Sequence, residues 1–270
     1  MPDNSSLNKR TVFTGAAGVV LGFLIGFFLA NAINREEQEK LRAEVVGLRA
    51  GGAAPGGQNV DARGGGQTSA DGEDSFPTLT DEQLANAVKA ADASPSDVEL
   101  QRKVGQALYV YAWQRNNARI LPDVARILGR AHELDPKDYK TTVMAGDAQF
   151  LIARSGADPK ALSGARKFYE SALASNPADA VVRTSLGLTY FYDTPPDTQR
   201  AIREYRRALQ ADPRQEMSVQ SLAAALIEAG SLEEAGRRLD ELEKLNSSNP
   251  ELANLRAQLE QKRNAAKERE

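Results

Sequence analysis

The chain of 270 residues contains no cysteine, one histidine, one tryptophan and three methionines. The lack of cysteine excludes disulfides, thiol nucleophiles and cysteine-ligated metals. It leaves the compartment open, because such a chain folds in reducing or oxidising surroundings alike. The single histidine, His132, cannot build a multi-histidine metal centre. Its place at a helix end beside Glu133 and Asp135 marks a surface or capping side chain. Aromatic residues make up only 6% of the chain, which suits an alanine-rich helical array better than a sheet-built enzyme. The net charge of -3 lacks the basic excess of a nucleic-acid binder. Also missing are a phosphate-binding glycine loop, a G-x-S-x-G elbow, an H-E-x-x-H pair and an EF-hand loop. The run Gly64-Gly65-Gly66 has no Lys-Ser/Thr behind it. No catalytic, cofactor-binding or metal-binding residue is expected, and the chain does not read as an enzyme.

Charge is also absent from Thr11 to Ile33, between the tail 1–10, which ends in Lys9-Arg10, and Arg35. Those 23 residues make a helix of about 34 Å at roughly 1.5 Å per residue. That length crosses a hydrocarbon core of about 30 Å, so 11–33 reads as a single transmembrane helix. The alternative is a cleaved signal peptide, since Ala30-Asn31-Ala32 has the small–x–small pattern. The apolar run is longer than such peptides carry and stays hydrophobic through Phe27, Phe28 and Leu29. Gly18, Gly22, Gly26 and Ala30 recur every four residues, a stripe on which two membrane helices can approach closely and form a homo-oligomer. Residues 34–50 read as a short charged helix with Leu41, Val45 and Leu48 on one seam. In 51–76 only Val60 is aliphatic and larger than alanine, so the segment reads as a disordered glycine-rich linker. Its r.m.s. reach is roughly 25–30 Å.

The remainder, 77–270, carries an internal repeat. Pro95, Pro136, Pro177 and Pro213 each follow an alanine by five residues, namely Ala90, Ala131, Ala172 and Ala208. Each precedes a small residue by ten, namely Gly105, Gly146, Gly187 and Ala223. Apolar spacing and breakers predict helices at about 81–92, 96–115, 122–134, 138–154, 159–174, 179–192, 197–210, 214–229, 231–245 and 249–267. Each proline then stands between two helices, and each small residue stands where two helices cross.

Leu186-Gly187, Tyr190, Ala201, Tyr205, Ala208 and Pro213 resemble the motif of the tetratricopeptide repeat (TPR) family, whose unit is a helix–turn–helix. Ala165, Tyr169, Ala172 and Pro177 repeat it, as do Leu222, Ala223, Gly230, Ala235 and Leu239. The family spacing of 19 from the small residue to the second-helix alanine position is kept from Ala223 to Leu242. It grows to 21 from Gly187 to Ala208, and to 26 from Gly105 to Ala131 and from Gly146 to Ala172. The extra residues lengthen the first helices of the two early units through Tyr109–Trp113 and Phe150–Ile152. Units of about 41 residues also fall in the HEAT range. The resemblance implies an all-α, TPR-type α-solenoid, with 81–92 and 249–267 as terminal caps.

In this family the inward face of each first helix lines a peptide groove. By register, those positions are Arg102, Gln106, Tyr109, Val143, Asp147, Phe150, Thr184, Leu188, Phe191, Gln220, Ala224 and Ile227. A carboxylate-gripping chaperone co-factor is a poor match, because Met144, Val181 and Ser185 stand where grasping side chains belong. The basic run Arg200, Arg203, Arg206, Arg207 and Arg214 includes Glu204 and Asp212 and reads as a solvated helix face. The expectation is a membrane-anchored scaffold for a protein or peptide partner, without cofactor or nucleic acid. The alternatives are a self-assembling membrane protein with no outside ligand, and a cytochrome c maturation-type TPR chaperone for apoprotein tails. Lys and Arg counts favour a cytoplasmic repeat domain. The short Lys-Arg tail before an apolar run instead has the form of an uncleaved signal anchor. That form places the protein in a bacterial inner membrane with the repeats in the periplasm.

Overall fold

A computed structural model describes residues 40, 43–45 and 78–268. The span 11–33 with its stripe Gly18, Gly22, Gly26 and Ala30, the segment 51–76 and most of 34–50 lie outside the described residues. Among the described residues no helix is long and apolar enough to cross a membrane. Their regular structure is helical throughout.

The described helices fall into two compact units, one within Arg35–Met144 and one within Ala145–Glu270. In the first, α1 is Asp81–Ala93, α2 is Val98–Gln114, and α3, Leu121–Leu134, follows a 3-10 turn at Ala118–Ile120. The helix α4, Tyr139–Arg154, contributes residues to both units. The second unit adds α5 Ala161–Ser175, α6 Ala180–Phe191, α7 Thr198–Ala211, α8 Glu216–Glu228, α9 Leu232–Leu245 and α10 Leu252–Lys267. The boundaries match the spacing argument to within three residues. The lengthened first helices are present too: α2 and α4 have 17 and 16 residues, against 12 and 13 in α6 and α8.

One four-residue turn recurs between the end of one repeat and the start of the next. In Ser94-Pro95-Ser96-Asp97 the Asp97 N–H donates to Ser94 O at 3.2 Å, and Asp97 Oδ1 accepts from Leu100 N at 3.0 Å. In Asp135-Pro136-Lys137-Asp138 the corresponding distances are 3.2 and 3.1 Å, with Thr141 N as the capped donor. In Asn176-Pro177-Ala178-Asp179 they are 3.3 and 2.9 Å, with Val182 N. Proline fixes φ at the second position of the turn, and the aspartate two residues later caps the next helix. Gln215 takes the aspartate's place after Pro213, its Oε1 accepting from Ser218 N. The last turn, Asn246-Ser247-Ser248-Asn249, keeps the backbone bond at 3.1 Å without proline.

Each core is built where small residues admit large ones. In the first unit a Cβ placed on Gly105 would lie 2.7 Å from Leu128 Cδ2, and Leu108, Val124, Ile127 and Leu128 are fully buried. In the second unit a Cβ on Gly187 would lie 2.5 Å from Tyr205 Cε1, and one on Gly146 would lie 2.7 Å from Tyr169 Cε1. The two tyrosine rings occupy the notches that the glycines leave.

Candidate functional site

The first unit holds the groove positions Arg102, Gln106, Tyr109 and Val143. Arg102 is half-buried and pairs with Glu99 at 2.5 Å. Gln106 is buried and donates to Thr141 Oγ1 at 2.9 Å, which ties α2 to the start of α4. Tyr109 is buried as well, and Val143 is half-buried. Gln101, one position before Arg102, is fully buried and donates to the carbonyls of Ala91 at 2.6 Å and Ser94 at 3.0 Å. It thereby satisfies the open C-terminal end of α1. His132 Nδ1 lies 2.8 Å from Thr142 Oγ1 and ties the end of α3 to α4.

In the second unit several groove positions pack between helices. Thr184 is fully buried, donates to Ala180 O at 2.7 Å and lies 2.5 Å from Ser218 Oγ. Leu188 and Ile227 are buried. Asp147 is half-buried and accepts from Tyr169 Oη at 2.8 Å. Gln220, half-buried, accepts from Asn249 Nδ2 at 2.9 Å, and Ala224 is half-buried beside it in sequence register. Phe150 is buried, and Phe191 is half-buried.

Phe150 and Phe191 meet at a residue outside the groove set, Tyr192. Phe150 lies 6.2 Å from the Tyr192 ring, tilted, and Phe191 lies 5.3 Å away, edge to face. The Arg154 guanidinium caps the same ring at 3.7 Å from its centre. Burial pushes the Tyr192 phenol above its usual value, Arg154 draws it down, and Glu251 adds to the rise. The cluster therefore gathers three rings and a cation within one patch of α4 and α6, with Phe150 buried and Arg154, Phe191 and Tyr192 half-buried. It suits a partner that brings an apolar side chain flanked by a carboxylate. The sequence signal was a four-residue step, from Phe150 to Arg154 and from Leu188 to Tyr192, which continues the groove face of each helix by one turn.

A second ring, Tyr190, stands between two arginines, Arg166 at 4.6 Å and Arg200 at 4.4 Å from its centre. Arg166 also donates to Thr189 O at 2.8 Å and pairs with Asp193, so it anchors the connection from α6 to α7. The basic run of α7 is largely engaged: Arg206 pairs with Glu234 at 2.7 Å and Arg207 with buried Glu204 at 3.0 Å, while Arg200 covers Tyr190. Among the described residues no cluster of His, Asp or Glu could hold a metal ion.

Residues 197–259, from the start of α7 into α10, match the family model described as tetratricopeptide repeat. No curated protein matches the chain. A crystal structure of MamA is 22% identical, with a TM-score of 0.50 over 62% of this chain and 88% of that one. A second crystal structure of MamA gives the same identity and score over 62% and 82%. The crystal structure of YrrB, described as a TPR protein with an unusual peptide-binding site, is 13% identical. Its TM-score is 0.52 over 65% of this chain and 82% of that one. At these identities the likeness is one of fold.

Proposed function

We propose that this chain, whose residues 197–259 match the tetratricopeptide repeat model and whose fold is like that of such proteins, is a scaffold that binds a protein or peptide partner, with the partner's apolar anchor seated at Tyr192. The observation that supports this is the patch of Phe150, Arg154, Phe191 and Tyr192. It combines a tilted and an edge-to-face ring contact with a cation at 3.7 Å from the Tyr192 ring centre, on the groove side of two first helices. Aromatic and arginine side chains are the residue types in which binding energy concentrates. The segment 11–33 anchors the scaffold in a membrane, and 51–76 lets the repeats sample a region roughly 25–30 Å across from that anchor.

The test is crosslinking and capture from membranes with the full chain, then with Tyr192→Ala and Arg154→Ala. A distinct partner, lost from both variants and retained by Lys167→Ala, is the expected result. Self-crosslinks alone would replace recruitment by self-assembly. For orientation, protease added to intact spheroplasts should digest the repeats, as a periplasmic domain requires. Survival of the repeats would place them in the cytoplasm.

A further inference from the structure

The helices α1 and α10 each carry half of a repeat. The second residue of each recurring turn is Pro95, Pro136, Pro177, Pro213 and, in the last turn, Ser247. Five residues before it stand Ala90, Ala131, Ala172, Ala208 and Leu242. The last four are at most 1% exposed, whereas Ala90 on α1 is exposed. Ten residues after it stand Gly105, Gly146, Gly187, Ala223 and Ala257. The first four are buried, whereas Ala257 on α10 is exposed. Thus α1 is a second helix whose crossing alanine meets no first helix, and α10 is a first helix whose crossing alanine meets no second. A cap ends an array with a polar outer face; these two leave alanine uncovered at the crossing.

The unit of α6 and α7 shows what would cover them. Tyr190, thirteen residues after Pro177, lies between Arg166 of α5, eleven before that proline, and Arg200 of α7, thirteen before Pro213. A first helix is flanked there by the preceding second helix and by its own. At the last turn the equivalents of Tyr190 and Arg166 are Glu260 and Gly236, and both line a cleft of about 270 Å³ between α9 and α10. No described helix supplies the third member. On α1 the residue thirteen before Pro95 is Glu82, which is exposed and makes no ion pair among the described residues. Arg237, Arg256 and Arg263 line the same cleft. Arg256 is held by Asp240 at 3.0 Å and Glu243 at 2.8 Å, and the terminal nitrogens of Arg263 by Glu260 at 2.8 Å and Glu233 at 3.6 Å. The Arg263 Nε stays buried without a partner, and Arg237 makes no ion pair among the described residues.

We propose that copies of this chain stack head to tail, α1 of one copy completing the repeat that α10 of another begins, with Glu82 set against Arg237 and Arg263. The register supplies the fit, since each helix offers the element that the other lacks. The charges supply the pairing, an exposed carboxylate on one side and an unpaired guanidinium on the other. The contact joins two different patches, so it is heterologous: it closes a ring if the rotation per copy allows and otherwise runs on as a filament. The Tyr192 patch takes no part in it.

The test uses two preparations of the full chain in detergent, one with Glu82→Cys and one with Arg237→Cys; the parent has no cysteine. Every chain also carries Gly22→Ile, to weaken association through 11–33. A short bis-maleimide should join the two preparations when they are mixed. Neither alone, nor Glu82→Cys mixed with Lys167→Cys on α5, should reach a tenth of that yield. Comparable yields in those controls would overturn the stacking. A chain carrying both Glu82→Cys and Arg237→Cys should link to other chains, less so on tenfold dilution. Links confined to single chains, unchanged on dilution, would overturn it as well. Sedimentation gives the second readout. Glu82→Arg should move self-association to at least fivefold higher concentration, and adding Arg237→Glu should restore it. Association unaffected by Glu82→Arg, or not restored by the second change, would count against the proposal. Neither readout needs an outside partner, so stacking and recruitment at Tyr192 can fail separately.

Discussion

At the scale of single residues, the notches left by glycine divide into hard and soft. Gly187 faces the edge of the fully buried Tyr205 ring, whereas Gly105 faces the terminal methyl of Leu128. A ring fixed on all sides cannot yield, but a leucine can turn its end away. Gly187→Ala should therefore cost roughly 1–3 kcal/mol by overpacking, and Gly105→Ala clearly less. Thermal melts of the two variants would show it, and equal losses would mean that both notches relax alike. The Tyr205 hydroxyl is buried without a hydrogen-bond partner among the described residues, and burial pushes its phenol well above the usual tyrosine range. A raised folded pKa stabilises the fold fully below the unfolded value of about 10 and loses that contribution as pH climbs toward the folded one. Tyr205→Phe removes both the unpaired oxygen and the titration. It should match or exceed the parent at neutral pH and lose less stability at about pH 10.5. Urea midpoints at the two pH values test it, and an equal alkaline loss would exonerate Tyr205.

At the scale of elements, the turn of proline, spacer and aspartate does most of the local work. Asp179 caps α6 through Val182 N, so Asp179→Ala should cost about 1 kcal/mol. The last turn offers the converse. Asn246 has extended backbone angles, φ -152° and ψ 93°, which a following proline requires. Ser247→Pro should then stabilise by about 0.4–1 kcal/mol. Chemical denaturation of each variant reads the change directly, and a loss with Ser247→Pro would show that this turn departs from its siblings. These turns also explain what was legible in the sequence. Proline, glycine and alanine act through backbone rules that hold wherever they stand, so helix ends and crossings could be placed within a few residues. Asp97, Asp138 and Asp179, two places after Pro95, Pro136 and Pro177, add the N-caps that start the following helices. Arg154 and Tyr192 could not be paired that way, because only tertiary packing brings them together. Thr184, Leu188 and Ile227 lie on the groove face by register, yet they are buried, because neighbouring first helices press against that face.

At the scale of the whole molecule, the expected anchor 11–33 and linker 51–76 lie outside the described residues and are separate from the repeats in sequence, so each expectation can be tested apart from the others. If Gly18, Gly22 and Gly26 form a contact face, Gly22→Ile should weaken self-association by blocking close approach of two backbones, and Gly15→Ile should matter less. Insertion should survive both, since each adds apolar surface. A membrane reporter of association decides, and an unchanged Gly22→Ile signal would leave the stripe as ordinary membrane-helix composition. The repeated turn has a different consequence at this scale. Each carries the stop of one helix and the start of the next within four residues, and Pro95, Pro136 and Pro177 stand 41 apart. A block copied or lost from one proline to the next leaves the same closing bond and the same capped amide at the seam. The turns are therefore the places where this chain can grow or shrink with its helix ends intact, while side-chain ties between neighbouring helices, such as Gln106 to Thr141 and Thr184 to Ser218, would have to be made anew.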